Sequence, residues 1–560
     1  MKIRLAQQNY HIGNFEKNTA AILEAINDAR QAGVELIVFS ELAVCGYPPR
    51  DFLEFNDFIR QAQESLQGIA KHTQDIGVLI GCPSINTKKE GKDLFNSAYL
   101  LYQGEIKDVV HKTLLPTYDV FDEYRYFEPA DEWHVIPFKG FTLAVTICED
   151  IWNLGDNPLY KICPMDELVK QQPDVMINLS ASPFDYTHCE QRLRTIRSNV
   201  AKYKLPILYC NTVGSQTEIV FDGGSVVFDK QGRIVAQASS FTEDQIDVEL
   251  MHNGQFEDVV FFDEWESDFA DNDYATYHPE ANTAAIYQAL ILGIRDYFSK
   301  MGFTKAILGS SGGIDSAVTL ALACEALGPE NVTAILLPSQ YSSEHSIADA
   351  MALSAHYGTP AHTIPIEPVF DVFMQQLKPL FGELPFSLAE ENIQARSRGN
   401  LLMAIANKFG YILLNTTNKS ECATGYGTLY GDMAGGISVL GDLYKTQVYA
   451  LARYINRHEN RIPISILSKA PSAELRPNQK DSDSLPDYSM LDAILYQYIE
   501  QRKGPNEIIA MQYDEALVKR ILRLVNQSEY KRNQFCPIIR VSPKAFGVGR
   551  RVPIVAKYLS

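Results

Sequence analysis

A loop of small residues in the second half of the chain has the composition of a phosphate-binding site. An apolar segment, 305–309, runs into this loop, and a predicted helix over 314–328 follows at once. Backbone N–H groups of small residues can wrap a phosphate, and a helix N-terminus adds partial positive charge. The loop lacks the lysine of a Walker loop. Its residues are Gly309, Ser310, Ser311, Gly312, Gly313, Ile314, Asp315 and Ser316.

Asp315 is an unexpected residue beside a bound anion. A carboxylate is favourable there when a divalent cation lies between it and the phosphate, and Mg²⁺ prefers such oxygen ligands. A tight turn between a strand and a helix would explain the glycines of the loop, but neither Asp315 nor the serines. The loop therefore predicts a site for magnesium and phosphate.

Cys148 in the first half follows an apolar predicted strand over 141–147. Active sites of α/β proteins commonly lie at the carboxyl ends of strands. A single buried cysteine is by default inert packing. Two further strands, however, stop at Glu41 and at Lys112. A glutamate can serve as base and acid, and a lysine can stabilise an oxyanion and depress a thiol pKa, so the three residues predict a cysteine nucleophile.

The elements that must position these residues differ between the two halves. The first half has short strands rich in Val, Ile and Leu, with helices predicted over 15–32, 51–73 and 188–204, which indicates a layered α/β sandwich. The second half alternates strand and helix from residue 305 to 357, which predicts a doubly wound parallel sheet. The predicted strands of the first half are 3–6, 36–39, 78–81, 98–102, 141–147, 175–179, 207–210 and 226–229.

An acidic segment separates the halves. Residues 257–273 hold eight acidic residues and no basic one. A charge run of this kind is typical of a solvated connector. We therefore predict a first domain over 1–256, a linker over 257–279 and a second domain over 280–560.

The overall composition excludes several classes of protein. Lys and Arg number 50 against 69 Asp and Glu, a formal charge of −19. This balance argues against nucleic acid or an anionic membrane as the main partner. No apolar run approaches the ~18 residues of a membrane span. The nine cysteines are scattered singly, so neither a zinc site nor a disulfide framework is indicated. We predict a cytoplasmic protein.

Further motifs resemble known families. The loop resembles the Ser-Gly-Gly-x-Asp-Ser motif of the ATP pyrophosphatase superfamily, which has an adenine nucleotide alpha hydrolase-like fold. Runs at 391–400, 415–421, 430–436 and 471–477 in this order are similar to the NAD synthetases. The resemblance implies that the loop and Thr416 bind ATP, that Asp315 and Glu421 hold Mg²⁺, and that Asn392, Glu421 and Lys531 contact deamido-NAD.

Some positions have a weaker basis or depart from the pattern of that family. Arg396, Lys419 and Lys445 are expected only as electrostatic helpers. The chain has Asn415, Thr417 and Tyr444 where the family more often has Thr, Gly and Pro. Asn392 and Arg396 are equally compatible with a polar face of a helix over 388–408.

The first half resembles the nitrilase, or carbon–nitrogen hydrolase, superfamily. The order Glu41, Lys112, Cys148 carries this resemblance, together with the runs Gly46-Tyr-Pro-Pro49 and Glu123-Tyr-Arg-Tyr-Phe127. It implies an αββα sandwich and a thioester formed with an amide. The residues that it adds are Glu123 as a supporting carboxylate, Tyr118, Glu149 and Ser182 as glutamine contacts, and His188, whose role at that site stays open because relatives often have Lys there. Ser182 is equally compatible with a helix N-cap.

Together the two resemblances imply an enzyme that amidates deamido-NAD with ATP, using ammonia from glutamine. Three alternatives stay open at this point. One is another amidotransferase, such as a GMP synthetase; a second is a nucleotide sensor without activity. The third is an amidase with a regulatory nucleotide domain. The expected partners are deamido-NAD, ATP and L-glutamine, and a homo-oligomer is expected.

Overall fold

The computed structural model describes residues 1–154, 158–257, 275–477, 479–483 and 485–558. The chain divides into two compact units, Met1–Phe184 with His188–Asp268 and Asp185–Thr187 with Phe269–Ser560. Most of the predicted linker, 257–279, lies outside the described residues, so the limits 1–256 and 280–560 stay predictions. Within the described ranges, no helix combines the length and the apolar character that a membrane crossing requires.

The first unit contains two six-stranded sheets, ordered β14-β1-β2-β3-β4-β5 and β13-β12-β9-β8-β7-β6, and a hairpin of β10 and β11. Its strands are β1 (Lys2–Gln7), β2 (Leu36–Val38), β3 (Gly77–Ile85), β4 (Leu94–Tyr102), β5 (Glu105–His111), β6 (Ile136–Phe138), β7 (Phe141–Ile147), β8 (Val175–Ser180), β9 (Ile207–Asn211), β10 (Val213–Gln216), β11 (Ile219–Asp222), β12 (Val226–Phe228), β13 (Ile234–Gln237) and β14 (Asp244–Glu249). Its helices are α1 (Phe15–Gln31), α2 (Asn56–Ala70), α3 (Pro164–Leu168) and α4 (His188–Tyr203).

Apolar side chains fill three layers of this unit. Leu5 and Val38 of the first sheet pack with Val145 of the second sheet in one buried cluster, so the two sheets lie face to face. The other face of the first sheet packs against α1 and α2, and that of the second sheet against α3 and α4. The inner strands of each sheet thus bury both of their faces, which explains their nearly continuous apolar runs, whereas the edge strands β5 and β14 carry charged residues and are partly exposed. The predicted αββα sandwich is confirmed.

A buried ion pair stabilises the first unit. The guanidinium of Arg192 on α4 donates two hydrogen bonds to the Asp222 carboxylate, at 2.9 and 2.6 Å, and both residues are 2% exposed. Asp222→Ala leaves the guanidinium buried without its counter-charge. We expect a loss of about 3–5 kcal/mol in the free energy of unfolding, measured by chemical denaturation.

Glu64→Ala is the control for this experiment. It breaks the exposed Arg60–Glu64 pair, whose side chains are 56% and 62% exposed. Water screens such a pair, so the free energy of unfolding should change far less. Equal effects of the two variants would contradict the interpretation.

The second unit contains one parallel sheet ordered β17-β16-β15-β18-β19. Its strands are β15 (Ala306–Gly309), β16 (Val332–Leu336), β17 (Ala361–Thr363), β18 (Ile412–Asn415) and β19 (Ile437–Ser438). Its helices are α5 (Thr283–Met301), α6 (Ile314–Leu327), α7 (Glu344–Tyr357), α8 (Glu367–Phe381), α9 (Leu388–Phe409), α10 (Lys419–Thr424), α11 (Lys445–Ile455), α12 (Ile464–Ser468), α13 (Tyr488–Ile499), α14 (Pro505–Ala510), α15 (Glu515–Gln527) and α16 (Glu529–Arg532).

The order of this sheet determines where a ligand can bind. From the central strand β15 the chain proceeds to β16 and β17 on one side, and it returns to β18 and β19 on the other. Ligands of open α/β sheets bind beyond the strand ends at such a reversal. The predicted phosphate loop leaves β15 at this point and enters α6 at Ile314. The predicted doubly wound sheet is confirmed.

Candidate functional site

Three strand ends and the 3-10 turn Glu123–Arg125 bring four predicted residues of the first unit together. Glu41 follows β2, Lys112 follows β5 and Cys148 follows β7. The Lys112 ammonium donates to the carboxylate of Glu41 at 2.7 Å and to that of Glu123 at 2.8 Å. None of the four residues is more than 4% exposed. One ammonium therefore bridges two buried carboxylates close to a thiol.

Polar neighbours hold the Glu41 carboxylate in place. Its Oε1 also accepts a hydrogen bond from the Asn96 amide at 2.7 Å, and its Oε2 accepts one from the Ala181 backbone N–H at 3.0 Å. The Tyr47 hydroxyl donates to Glu123 at 2.7 Å. Since buried charges are costly without partners, these contacts keep both carboxylates oriented toward Lys112.

Burial dominates the acidity of the Cys148 thiol. It raises the pKa of Cys148 well above the usual value, and the nearby Glu41 acts in the same direction, whereas Lys112 lowers it. The sequence predicted that lysine would depress this pKa; its effect has that sign but is outweighed by desolvation. The resting thiol is neutral, so it needs a base at the moment of attack.

The predicted glutamine contacts form two pairs. The Tyr118 hydroxyl donates to the two Glu149 carboxylate oxygens at 3.0 and 2.9 Å, and burial raises the pKa of Glu149 to about 7. Ser182 Oγ lies 2.9 Å from His188 Nε2. The His188 ring stacks on Trp152, with 5.0 Å between ring centroids. The Glu149 carboxylate also raises the pKa of the Cys148 thiol, so the first pair lies near that thiol.

The structure excludes the alternative role of Ser182. Helix α4 begins at His188, six residues after Ser182, so Ser182 is not its N-cap. Ser182 is 3% exposed, and its backbone N–H donates to the Asn211 amide oxygen at 2.9 Å. Its hydroxyl is therefore held beside His188 by β8 and β9, the strands that end nearby.

The phosphate loop of the second unit borders a cavity of about 290 Å³. Gly312 is the loop residue that does not line the cavity; its φ is 77°, and a Cβ there would lie 2.1 Å from the Ser346 carbonyl oxygen, so only glycine fits. The Ser310 hydroxyl is buried and has no hydrogen-bond partner in the described structure. The predicted residues that line the cavity are Gly309, Ser310, Ser311, Gly313, Ile314, Asp315, Ser316, Thr416 and Glu421.

Two carboxylates meet at one wall of this cavity. Lys445 Nζ lies 2.5 Å from Asp315 Oδ2 and 3.8 Å from Glu421 Oε1. The Asn418 amide donates to the other Asp315 oxygen at 3.0 Å. Burial and the neighbouring Asp315 raise the pKa of Glu421 to about 8, while Lys445 lowers it. The wall thus concentrates negative charge that a cation relieves.

This donor set fits Mg²⁺. Carboxylate oxygens are its usual protein ligands, and it is bound by one or two carboxylates together with substrate phosphates. Asp315 and Glu421 line the same cavity as the phosphate loop. The Lys445 ammonium pairs with Asp315 and lies farther from Glu421.

Lys531 and Asn392, two of the three predicted dinucleotide contacts, lie beside the cavity, whereas Glu421 is part of its wall. The Lys531 ammonium donates to the carbonyl oxygens of Gly425 and Gly427 at 2.8 and 2.7 Å. Asn392 accepts a hydrogen bond from Thr428 Oγ1 at 2.7 Å. Both residues therefore meet the segment 425–428, which reaches the cavity through Tyr426.

The three predicted electrostatic helpers lie in different surroundings. Lys445 lines the cavity, and Arg396 donates to the Leu429 carbonyl at 3.2 Å. Lys419 does not reach the cavity, because it is fully buried and its ammonium lies 2.7 Å from Glu500 and 3.0 Å from Asp442.

Sequence reasoning missed three groups that hold Glu41 and Glu123. Tyr47 belongs to the 46–49 run that carried the resemblance, and its position there was a usable signal. Asn96 lies inside β4, and Ala181 contributes only its backbone N–H. Nothing in the local sequence marks either of them.

The chain is similar to known proteins over nearly its whole length. The family model described as carbon-nitrogen hydrolase matches residues 2–253, and the model described as NAD synthase matches residues 286–535. The glutamine-dependent NAD(+) synthetase of Synechocystis sp. is 45% identical over 563 residues, covering 99% of each chain. That of Thermotoga maritima is 39% identical over 579 residues, covering 100% of this chain and 99% of the relative.

A solved structure agrees with these matches. The glutamine-dependent NAD+ synthetase from Acinetobacter baumannii in complex with adenosine diphosphate is 38% identical, with a TM-score of 0.76. The match covers 99% of this chain and 98% of that one.

Proposed function

The chain belongs to the family of glutamine-dependent NAD(+) synthetases, and on that premise we propose that it amidates deamido-NAD to NAD with ATP and glutamine. One observation carries the proposal: the nitrilase-like match contains the buried Glu41–Lys112–Cys148 cluster, and the NAD synthase match contains the phosphate loop. A GMP synthetase accounts for neither match. A sensor without activity would not need to keep both clusters.

The first unit supplies ammonia in this proposal. The Cys148 sulfur attacks the side-chain amide of glutamine, and Glu41 accepts the thiol proton. Lys112 stabilises the oxyanion of the tetrahedral intermediate. The amide nitrogen leaves as ammonia after taking a proton from Glu41, and a thioester remains. Water then attacks the thioester carbonyl with Glu41 as base, the carbon–sulfur bond breaks, the Cys148 sulfur takes the proton back from Glu41, and glutamate leaves.

Glutamine specificity is assigned to four further residues. Tyr118, Glu149 and Ser182 are proposed to hold the substrate. His188 is proposed to act through Ser182, which lies at hydrogen-bond distance from its ring. Glu123 keeps Lys112 charged and oriented as the second partner of the ammonium.

The second unit uses the ammonia. The nicotinate carboxylate attacks the α-phosphorus of ATP, diphosphate leaves, and an acyl adenylate forms. Ammonia attacks its carbonyl carbon and AMP leaves. The phosphate loop and Thr416 are proposed to bind ATP, and Asn392, Glu421 and Lys531 to bind deamido-NAD. Mg²⁺ held by Asp315 and Glu421 would neutralise charge on the phosphates. A homo-oligomeric state, a cytoplasmic location and the absence of nucleic-acid and membrane partners stay predictions.

The test is a reaction with the full chain, deamido-NAD, Mg·ATP and either glutamine or ammonium. With either nitrogen donor we expect NAD, AMP and diphosphate in equal amounts. With glutamine as the donor we also expect at least one glutamate for each NAD formed. Formation of ADP instead of AMP, or glutamine hydrolysis without NAD formation, would contradict the proposal; the second result favours an amidase with a regulatory domain.

The acidity of Glu123 makes glutamine hydrolysis sensitive to pH. Burial raises the pKa of Glu123 to about 7, with Lys112 acting against it. As pH falls through about 7, Glu123 takes up a proton and Lys112 loses one of its two anionic partners. We expect the rate of glutamine hydrolysis to decline over this range. Glu123→Gln should be slower by ~10-fold or more. Its rate should also decline less over this range, with the remaining decline due to Glu149, whose pKa burial likewise raises to about 7. An unchanged pH profile would contradict the assignment.

A further inference from the structure

The nucleophile and the lysine of the first unit belong to different sheets. Lys112 follows β5 of the first sheet, and Cys148 follows β7 of the second. No strand ladder between the described residues of the two sheets joins them. Their relative position must therefore be set by side chains or by packing. Positioning matters here, because a displacement of about 1 Å can cost ~10²-fold in rate.

One buried carboxylate joins these two strand ends. Asp150 Oδ1 accepts hydrogen bonds from the backbone N–H groups of Thr113 and Leu114, at 3.0 and 2.9 Å. Its Oδ2 accepts one from the N–H of Ile147 at 3.0 Å. These donors directly follow Lys112 and directly precede Cys148, and Asp150 is 2% exposed.

The backbone at Cys148 needs such support. Its φ is 45°, a left-handed conformation that costs energy for a residue with a Cβ. Cys148 begins a single 3-10 turn, Cys148–Ile151, and Asp150 lies within that turn. The hydrogen bond from Ile147 therefore closes the turn around the strained residue.

We propose that Asp150 is a positioning residue of the glutaminase reaction, which holds the Cys148 turn in register with the strand end that carries Lys112. The inference rests on the proposed function of this site. Asparagine cannot replace the aspartate, because its amide has one acceptor oxygen and would place N–H donors against the backbone N–H groups on the other side.

The test compares Asp150→Asn with Asp229→Asn in the full chain. Asp229 is also a buried carboxylate of the first unit, 5% exposed, and it accepts backbone N–H groups of Gln231 and Arg233 at 3.0 and 2.9 Å. These hydrogen bonds stay within residues 229–233, so Asp229 does not join two strand ends as Asp150 does. Measured quantities are kcat and KM for glutamine hydrolysis, the ammonia-dependent rate of NAD formation, and the iodoacetamide alkylation rate of the Cys148 peptide by mass spectrometry.

We expect Asp150→Asn to lower kcat by ~10-fold or more, with KM for glutamine within ~3-fold, and to lower the alkylation rate of Cys148 in parallel. The ammonia-dependent rate should not change, because its site lies in the other unit. Asp229→Asn should leave all four quantities within ~2-fold. A general loss of packing would instead lower the folded fraction in both variants.

Three outcomes would overturn the proposal: a kcat of Asp150→Asn near that of the wild type, equal losses in both variants, or a lower kcat with unchanged alkylation. If Asp150→Asn does not fold, Asp150→Glu is measured, since it keeps the charge but displaces it by one methylene. Wild-type activity of Asp150→Glu, or failure of both Asp150 variants to fold, also overturns the proposal. Absence of glutamine hydrolysis in the wild type would count against the proposed function, and the alkylation rates would still decide the role of Asp150.

Discussion

Cys148→Ala is expected to abolish glutamine hydrolysis and glutamine-dependent NAD formation, while NAD formation from ammonium continues at a substantial fraction of the wild-type rate. Alanine removes the sulfur that forms the thioester, and no other group of the cluster provides a covalent route. The second unit keeps Asp315, Thr416 and Glu421 and needs only an amine. The assay uses high ammonium at mildly alkaline pH, where more free ammonia exists.

Two other cysteines serve as matched controls. Cys210 is fully buried, and its thiol contacts the carbonyl oxygens of Ala6 and Val38. Burial raises the pKa of Cys189, which lies on α4. Alanine at either position should retain glutamine hydrolysis. Retained hydrolysis in Cys148→Ala would assign the nucleophile elsewhere, and loss of both activities in a folded variant would mean that the two sites are not chemically independent.

Asp315→Asn is expected to lower NAD formation by ~10²-fold or more with glutamine and with ammonium alike. The substitution replaces one of the two carboxylates proposed to hold Mg²⁺ next to the phosphate loop with a neutral amide. The remaining activity should require more Mg²⁺, which a titration of the metal at fixed ATP measures. Near-normal activity in this variant would contradict the assignment of the loop.

A change in folding must be separated from this effect. Asp315 forms an ion pair with the buried Lys445. Replacing Asp315 by asparagine leaves the Lys445 ammonium paired, among the described residues, only with Glu421, at 3.8 Å. Circular dichroism and the thermal midpoint report any loss of structure. Asp514→Asn is the control, because Asp514 caps α15 through the Leu517 N–H and asparagine caps a helix equally well. Its NAD formation should match that of the wild type.

The amino-acid sequence by itself determined the features of the fold and the site that depend on residues adjacent along the chain. The phosphate loop was predictable because glycine and serine types, the preceding strand and the following helix are contiguous over 305–328. The ends of β2 and β7 were predictable because an apolar run that stops close to an ionisable residue is a local signal. Lys112 was also expected at a strand end, but β5 before it, Glu105–His111, mixes apolar with charged residues and was not among the predicted strands. The layer type of each unit followed from the order of such elements.

Tertiary structure alone decided which of these strand ends meet and what surrounds them. Lys112 bridges carboxylates 71 and 11 residues away, and Lys445 pairs with Asp315 across 130 residues. Asn392 and Lys531 meet at one segment, whereas Lys419 is buried elsewhere. The raised pKa of Cys148 likewise comes from burial, which the sequence does not express. Local rules describe contiguous residues, but contacts and desolvation depend on strand order and packing, and these exist only once the chain has folded.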